Sequence, residues 1–210
     1  MSWIVVRGLV LLILMGLGGC SSTQLVTRWN DVDYEGQPLR KILVLALLKN
    51  DLHRRSVEDQ FSRQLEKRGV QGIPSYRLIA DLKAADDKTR LQVLVAETGA
   101  DAVLIARLKG VKDEETYVPP RTEMVPAMGM GYGYYGYYHM SYQMVYQPGY
   151  TRVDKVVSLE SKVFAAADER LLWAGETKSF NPESAASVAS ELADLVVRDM
   201  AKSGLLGAGR

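Results

Sequence analysis

The sequence predicts an α/β domain: a mixed sheet of about five strands with three helices, ordered β-α-β-α-β, long loop, β-β-α. Three observations carry this. Ile42–Leu48 is an unbroken apolar run bounded by Arg40-Lys41 and Lys49-Asn50-Asp51, as a strand buried on both faces requires. Val57, Phe61 and Leu65 then recur at helical spacing. Arg152–Ala166 instead alternates, with Val153, Val157, Leu159, Val163 and Ala165 on one side, so the period shifts from that of a helix to that of a strand.

The elements follow in order. Residues 42–48 form the first strand. Ser56 with Asp59 three residues on predicts the cap of the first helix, and Gly69 its end. Glu58, Arg63, Glu66, Lys67 and Arg68 read as its solvated face. Val70–Tyr76 is a short second strand limited by Pro74. Asp87 caps a second helix through Thr98, with Leu91, Leu94 and Val95 inward, and Gly99 ends it. Asp101–Leu108 is the third strand, and the β-α-β order calls for right-handed crossovers where the linked strands are parallel. Arg152–Ala166 and Leu171–Phe180 form a hairpin across Asp168-Glu169-Arg170. Asn181 as N-cap, Pro182 at the first helical position and Glu183 at the positive dipole end predict the last helix, closed by Gly204. Val188, Leu192, Leu195, Val196 and Val197 are its buried side. The single domain thus spans residues 41–206, interrupted at 117–150.

The N-terminus has a different character. Arg7 precedes an apolar run from Gly8 to Leu17, and small residues lead to Cys20, the only cysteine. A basic start, apolar middle and small-residue end are the layout of a signal peptide, here residues 1–19. An uncleaved membrane helix is the alternative, but the run is short of the ~20 residues a span needs. Leu17-Gly18-Gly19-Cys20 resembles the bacterial lipobox. That resemblance implies cleavage before Cys20, acylation of its sulfur with palmitate-type chains, and a lipoprotein held on a membrane of the cell envelope. Ser21 and Ser22 behind the cysteine, with no Asp, resemble the pattern that implies export to the outer membrane, facing the periplasm. Residues 20–40 read as an acylated tether, with Leu25, Val26 and Trp29 able to pack onto the domain.

Composition narrows the function classes. With 26 basic and 25 acidic side chains, the chain has no electrostatic case for nucleic acid. Acylation of Cys20 leaves no thiol for a disulfide, a redox pair or a Cys/His zinc site. His53 and His139 are the only histidines, and His53 reads as an exposed residue before the first helix. The chain contains no Gly-x-Ser-x-Gly elbow, P-loop or His-Glu-x-x-His. Asp86-Asp87 and Asp113-Glu114-Glu115 read as solvated turns. The expectation is a non-enzymatic protein with no cofactor.

Residues 117–150 concentrate nine of the 11 tyrosines and five of the eight methionines, interleaved with glycine. Four readings stand side by side. The segment is a low-complexity loop without a specific role. Or it is a contact surface for an envelope protein or a second copy, with Tyr132, Tyr134, Tyr135, Tyr137 and Tyr138 as its contact residues. Or it meets lipid headgroups, where Tyr is favoured. Or Met128-x-Met130 and Met140-x-x-x-Met144, with His139, hold Cu(I), giving a periplasmic soft-metal or small-ligand binder.

Ala96-Glu97-Thr98-Gly99-Ala100-Asp101, followed by the apolar Ala102–Ile105, resembles a segment of several bacterial envelope proteins. These are the curli secretion lipoprotein, the lipoprotein activators of penicillin-binding proteins, and the N-terminal domain of the Tol translocation protein. The resemblance covers roughly residues 41–108 and 153–203. It implies a small α/β sandwich that binds other proteins.

Overall fold

The computed structural model describes residues 22–79, 88–126 and 142–207. Among the described residues the fold is mixed α/β, with three α-helices, a six-stranded mixed sheet and a two-stranded sheet. The elements are β1 (Thr23–Asn30), β2 (Lys41–Leu47), α1 (Asp51–Glu66), β3 (Gln71–Pro74), α2 (Lys88–Thr98), β4 (Ala102–Val118), β5 (Arg121–Pro126), β6 (Tyr142–Gln147), β7 (Tyr150–Ala165), β8 (Leu171–Phe180) and α3 (Ala185–Lys202). The large sheet runs β1-β8-β7-β4-β2-β3 and the small one pairs β5 with β6. The chain divides into two compact units, one up to Val111 and from Val157 onward, the other Lys112–Val156.

In the first unit β2 pairs in parallel with both β3 and β4, as two βα crossovers require. One core gathers Val57, Phe61 and Leu65 of α1, Val188, Leu192 and Val196 of α3, and Ile42, Val44, Leu104, Leu159 and Trp173 of the sheet. A smaller cluster of Leu43, Ala100 and Val103 takes Leu94 and Val95 of α2. These are the predicted faces. Gly69 and Gly99 end their helices at φ 74° and 60°, the left-handed region glycine enters at least cost.

Several expectations need correction. Ser56 does not cap α1; the Asn50 side chain does, accepting from the His53 backbone N–H at 3.1 Å, so the helix begins five residues earlier than Ser56. Asn181 does not cap α3. It sits at φ 46° and turns the chain out of β8. Ser184 is the cap, exchanging hydrogen bonds with Ser187 (3.0 and 3.2 Å). Asp113–Glu115 are part of β4, not a turn. Val153 is 55% exposed rather than core, because it lies where β7 belongs to the second unit. Asp86 and Asp87 lie outside the described residues.

Glu58 is the largest departure. It is fully buried, not solvated. Its carboxylate accepts from Arg54 Nε (3.1 Å), Ser75 Oγ (2.9 Å), and the backbone N–H of Ala46 (3.0 Å) and Tyr76 (2.8 Å). Arg54, equally buried, also donates to the Ile79 carbonyl at 2.9 Å. β3 ends at Pro74, opposite Val44, so Ala46 has no strand partner on that side and its N–H needs another acceptor. Glu58 supplies it and holds the turn after β3 in place.

The segment read as a tether contains β1, which pairs antiparallel with β8 from Thr23↔Ser179 to Asn30↔Trp173. Arg28 grips both carboxylate oxygens of Asp199 on α3 (2.9 and 3.1 Å), and Glu191 on the same helix accepts the Thr23 N–H at 2.8 Å. At the far end Arg170 pairs with Asp31 and holds that carboxyl below the usual range, against the upward push of burial. A depressed carboxylate contributes stability above its unfolded-state value of about 4, and loses it as pH falls through the lower folded value. Amide protons of Thr27–Asn30 are therefore expected to lose protection as pH falls below about 4 in hydrogen-exchange NMR, beyond the intrinsic change. Asp31→Asn should weaken protection at the higher pH and flatten that dependence.

Candidate functional site

Cys20 lies outside the described residues, as do Tyr132, Tyr134, Tyr135, Tyr137, Tyr138, Met128, Met130, His139 and Met140. Their chain neighbours are described, and they form two surfaces.

The first surface belongs to the second unit. Part of the segment read as a loop is a β-ribbon: β5 and β6 flank residues 127–141 and pair antiparallel. Met124 stands opposite Met144, and Thr122 opposite Tyr146. Strand alternation puts these four on one side of the ribbon. Met124, Met144 and Tyr146 are 69%, 65% and 65% exposed. The other side carries Val125 and Val145 beside Arg121, Glu123 and Gln147, with Arg121 linked to Gln147 (2.8 Å) and to Glu123 (3.3 Å). One side thus presents Met124, Met144 and Tyr146 without a charge, and the other mixes an ion pair with two valines. Composition located this segment, but only the register shows that the side chains sort by side.

The second surface is the outer edge of β1 in the first unit. Among the described residues no strand pairs with it. Val26 (45% exposed) and Trp29 (49%) lie along it. A bulge at Val26 interrupts the register and leaves Thr27–Asn30 as a regular stretch. An unpaired strand edge offers backbone donors and acceptors to an added strand. The sequence of β1, in which polar and apolar residues come in pairs rather than alternating, carried only the hint that Leu25, Val26 and Trp29 could pack.

A cleft of about 1490 Å³ also opens in the first unit, beside α2. Leu91, Val95, Val103, Ile105 and Phe164 give it apolar walls, with Asp101 and Glu169 at its rim. Both carboxylates are engaged. Asp101 accepts the backbone N–H groups of Arg40 and Lys41, each at 2.8 Å, and Glu169 accepts from Gln92 at 2.8 Å. Asp101 of the Gly-Ala-Asp segment therefore fastens the start of β2. Beyond the cleft the sheet face is charged: Arg107 and Lys162 meet Glu160 (2.6 and 3.4 Å), and Lys109 meets Glu176 (2.7 Å). Burial pushes the Glu160 carboxyl up, but the Arg107 hydrogen bond and the two cations together hold it below its usual range. Among the described residues no group of three His, Cys, Asp or Glu is placed to hold a metal, and no helix is long and apolar enough to cross a membrane.

No protein-family model matches this chain, and no curated protein does. Solved structures similar to it include the PelC dodecamer from Paraburkholderia phytofirmans, 13% identical, covering 83% of this chain and 94% of that one at a TM-score of 0.44. Lipoprotein GNA1162 from Neisseria meningitidis is 16% identical over 78% of this chain and 99% of its own, at 0.41. A PDZ domain protein from Parabacteroides distasonis is 12% identical over 90% of this chain and 36% of its own, at 0.38. At TM-scores below 0.5 these likenesses carry no assignment of function or assembly to this chain.

Proposed function

We propose that this chain is an envelope lipoprotein, acylated on Cys20 and held on the periplasmic side of the outer membrane, that binds another envelope protein without catalysis. The lipobox-like Leu17–Cys20 supports the anchor. The short stretch from Cys20 to the start of β1 at Thr23 supports a domain held close to its lipid.

The observation that carries the binding role is the outer edge of β1, with Val26 and Trp29 exposed along a strand that Arg28, Glu191 and Asp199 fix to α3. A fixed edge loses little conformational entropy when an extended segment pairs with it. The tyrosines from Tyr132 to Tyr138 are the competing contact surface in this proposal.

Cross-linking and co-purification of the full-length protein from envelope membranes separates the two. Val26→Lys with Trp29→Ala is expected to reduce partner recovery about tenfold, the effect of losing an anchor side chain worth over 1 kcal/mol. Deleting residues 120–149 should leave recovery intact. The reverse pattern would move the partner to the ribbon, and no change in either variant would remove the binding role.

A further inference from the structure

We infer that the outer edge of β1 pairs antiparallel with the same edge of a second copy of this chain, in the register that sets Trp29 against Trp29. This rests on the reading of that edge as the binding surface, and it adds what covers the edge when no other envelope protein does.

The backbone fixes what the edge offers. Trp29 pairs with Ala174 and Asn30 with Trp173, and the Asp31 N–H donates to the Leu172 carbonyl at 2.9 Å. Hydrogen-bonded residues alternate along an antiparallel pair, so Thr27, Trp29 and Asp31 bond to β8. Arg28 and Asn30 therefore turn their N–H and C=O groups outward. Thr23–Asn30 holds no proline and no lysine, the residues that commonly blunt an edge. Its one irregularity, at Val26, leaves Thr27–Asn30 open to a neighbour.

A second copy presents the same donors and acceptors in reverse order, and three two-fold registers match outward groups to outward groups. With the axis at Arg28, two Arg28 side chains stand directly opposite each other, and like charges there are destabilising. With the axis at Asn30, Arg28 needs Val32 as its partner, and Val32 lies in the turn past the strand. With the axis at Trp29, Arg28 of each copy pairs with Asn30 of the other, and all four outward N–H groups find a carbonyl. Trp29 then meets Trp29 in a non-hydrogen-bonded pair, where side chains stand closest and aromatic pairs stabilise. Val26 and Val32, each three residues from Trp29, come level with one another, and both are exposed. The exposed apolar side chains of this stretch are thus self-complementary about Trp29. The chain's net charge of +1 sets up no repulsion between copies. The two-fold axis of such a pair is perpendicular to the sheet, so both copies of Cys20 lie at one height and reach one membrane.

Single introduced cysteines read the register. At the axis, Cα atoms lie about 4.5 Å apart, within disulfide range; at 28 or 30 the like residues are roughly 8 Å apart, beyond it. Arg28→Cys, Trp29→Cys and Asn30→Cys are each made in the full-length protein and oxidised in its envelope membranes. Non-reducing gels measure the linked dimer, and peptide mass spectrometry confines the count to bonds between introduced cysteines. We expect the linked fraction at 29 to exceed that at 28 and at 30 about tenfold. A maximum at 28 or 30 overturns the register and with it the inference. Equal linking at all three positions marks random encounter and overturns it, as does no linking at any. Partner recovery with Val26→Lys and Trp29→Ala does not depend on the disulfide. If recovery falls while position 29 fails to link, the inference fails and the partner reading stands; if neither occurs, both fail.

Discussion

Replacing Glu58 by Ala is expected to lower the stability of the chain by about 3–5 kcal/mol, the range for removing one partner of a buried ion pair. Four donors converge on that carboxylate: Arg54 Nε, Ser75 Oγ and the backbone N–H groups of Ala46 and Tyr76. The substitution leaves the Arg54 guanidinium buried without its counter-charge and two backbone donors without an acceptor. Each such loss is costly where water cannot enter. Urea unfolding followed by circular dichroism should show a lower midpoint. Glu58→Gln, which keeps the shape and one acceptor oxygen, should fall between the two. Arg198→Ala is the control. Its pair with Asp194 is about half exposed on both sides, so the change should stay within about 0.5 kcal/mol. A Glu58→Ala midpoint equal to that of the control would mean that the network does not hold the turn after β3.

Cys20→Ser is expected to abolish incorporation of labelled palmitate and to leave residues 1–19 attached. A thiolate is nucleophilic enough to take up a diacylglyceryl group as a thioether, whereas a serine hydroxyl at its ordinary pKa is not. Each buried methylene adds ~0.8 kcal/mol of membrane affinity, and one chain alone holds weakly. Loss of acylation therefore removes the anchor itself, not a modifier of it. The readouts are autoradiography of the labelled band and its shift to precursor mass. A variant that is still cleaved and still carries label would dismiss Cys20 as the attachment point.

The parts of the fold legible in the sequence were those fixed by local pattern. The apolar run at Ile42–Leu48, the spacing of Val57, Phe61 and Leu65, and the glycine at Gly69 each depend on near neighbours; the helix face and the glycine behave as read, and the run is a buried strand as far as Ala46, with Leu47 exposed at its end and Leu48 beyond it. Glu58 was not legible. On the helix it resembles any charge among Arg63, Glu66 and Lys67, and its partners Ala46, Ser75 and Tyr76 are 12, 17 and 18 residues away. β1 was hidden for the same reason on a larger scale. Its pairing partner β8 is separated from it by most of the chain, so only tertiary contact makes Thr23–Asn30 a strand.

The contact surfaces were half legible. Composition singled out residues 117–150, because tyrosine and methionine crowd there. It could not show that Met124 meets Met144, since register comes from pairing and not from content. At the end of β8, Pro182 and Glu183 imitate a helix start. The reciprocal bonds of Ser184 and Ser187 fix the true one, and Asn181 takes the positive φ that turns the chain.

The proposed role presupposes placement at the membrane. Intact-mass and peptide mass spectrometry of protein extracted from envelope membranes tests it most directly. The expected N-terminal peptide begins at Cys20 and carries diacylglyceryl and acyl mass on that residue. A peptide that begins at Met1, or one with Cys20 bearing an unmodified thiol, would contradict the anchor.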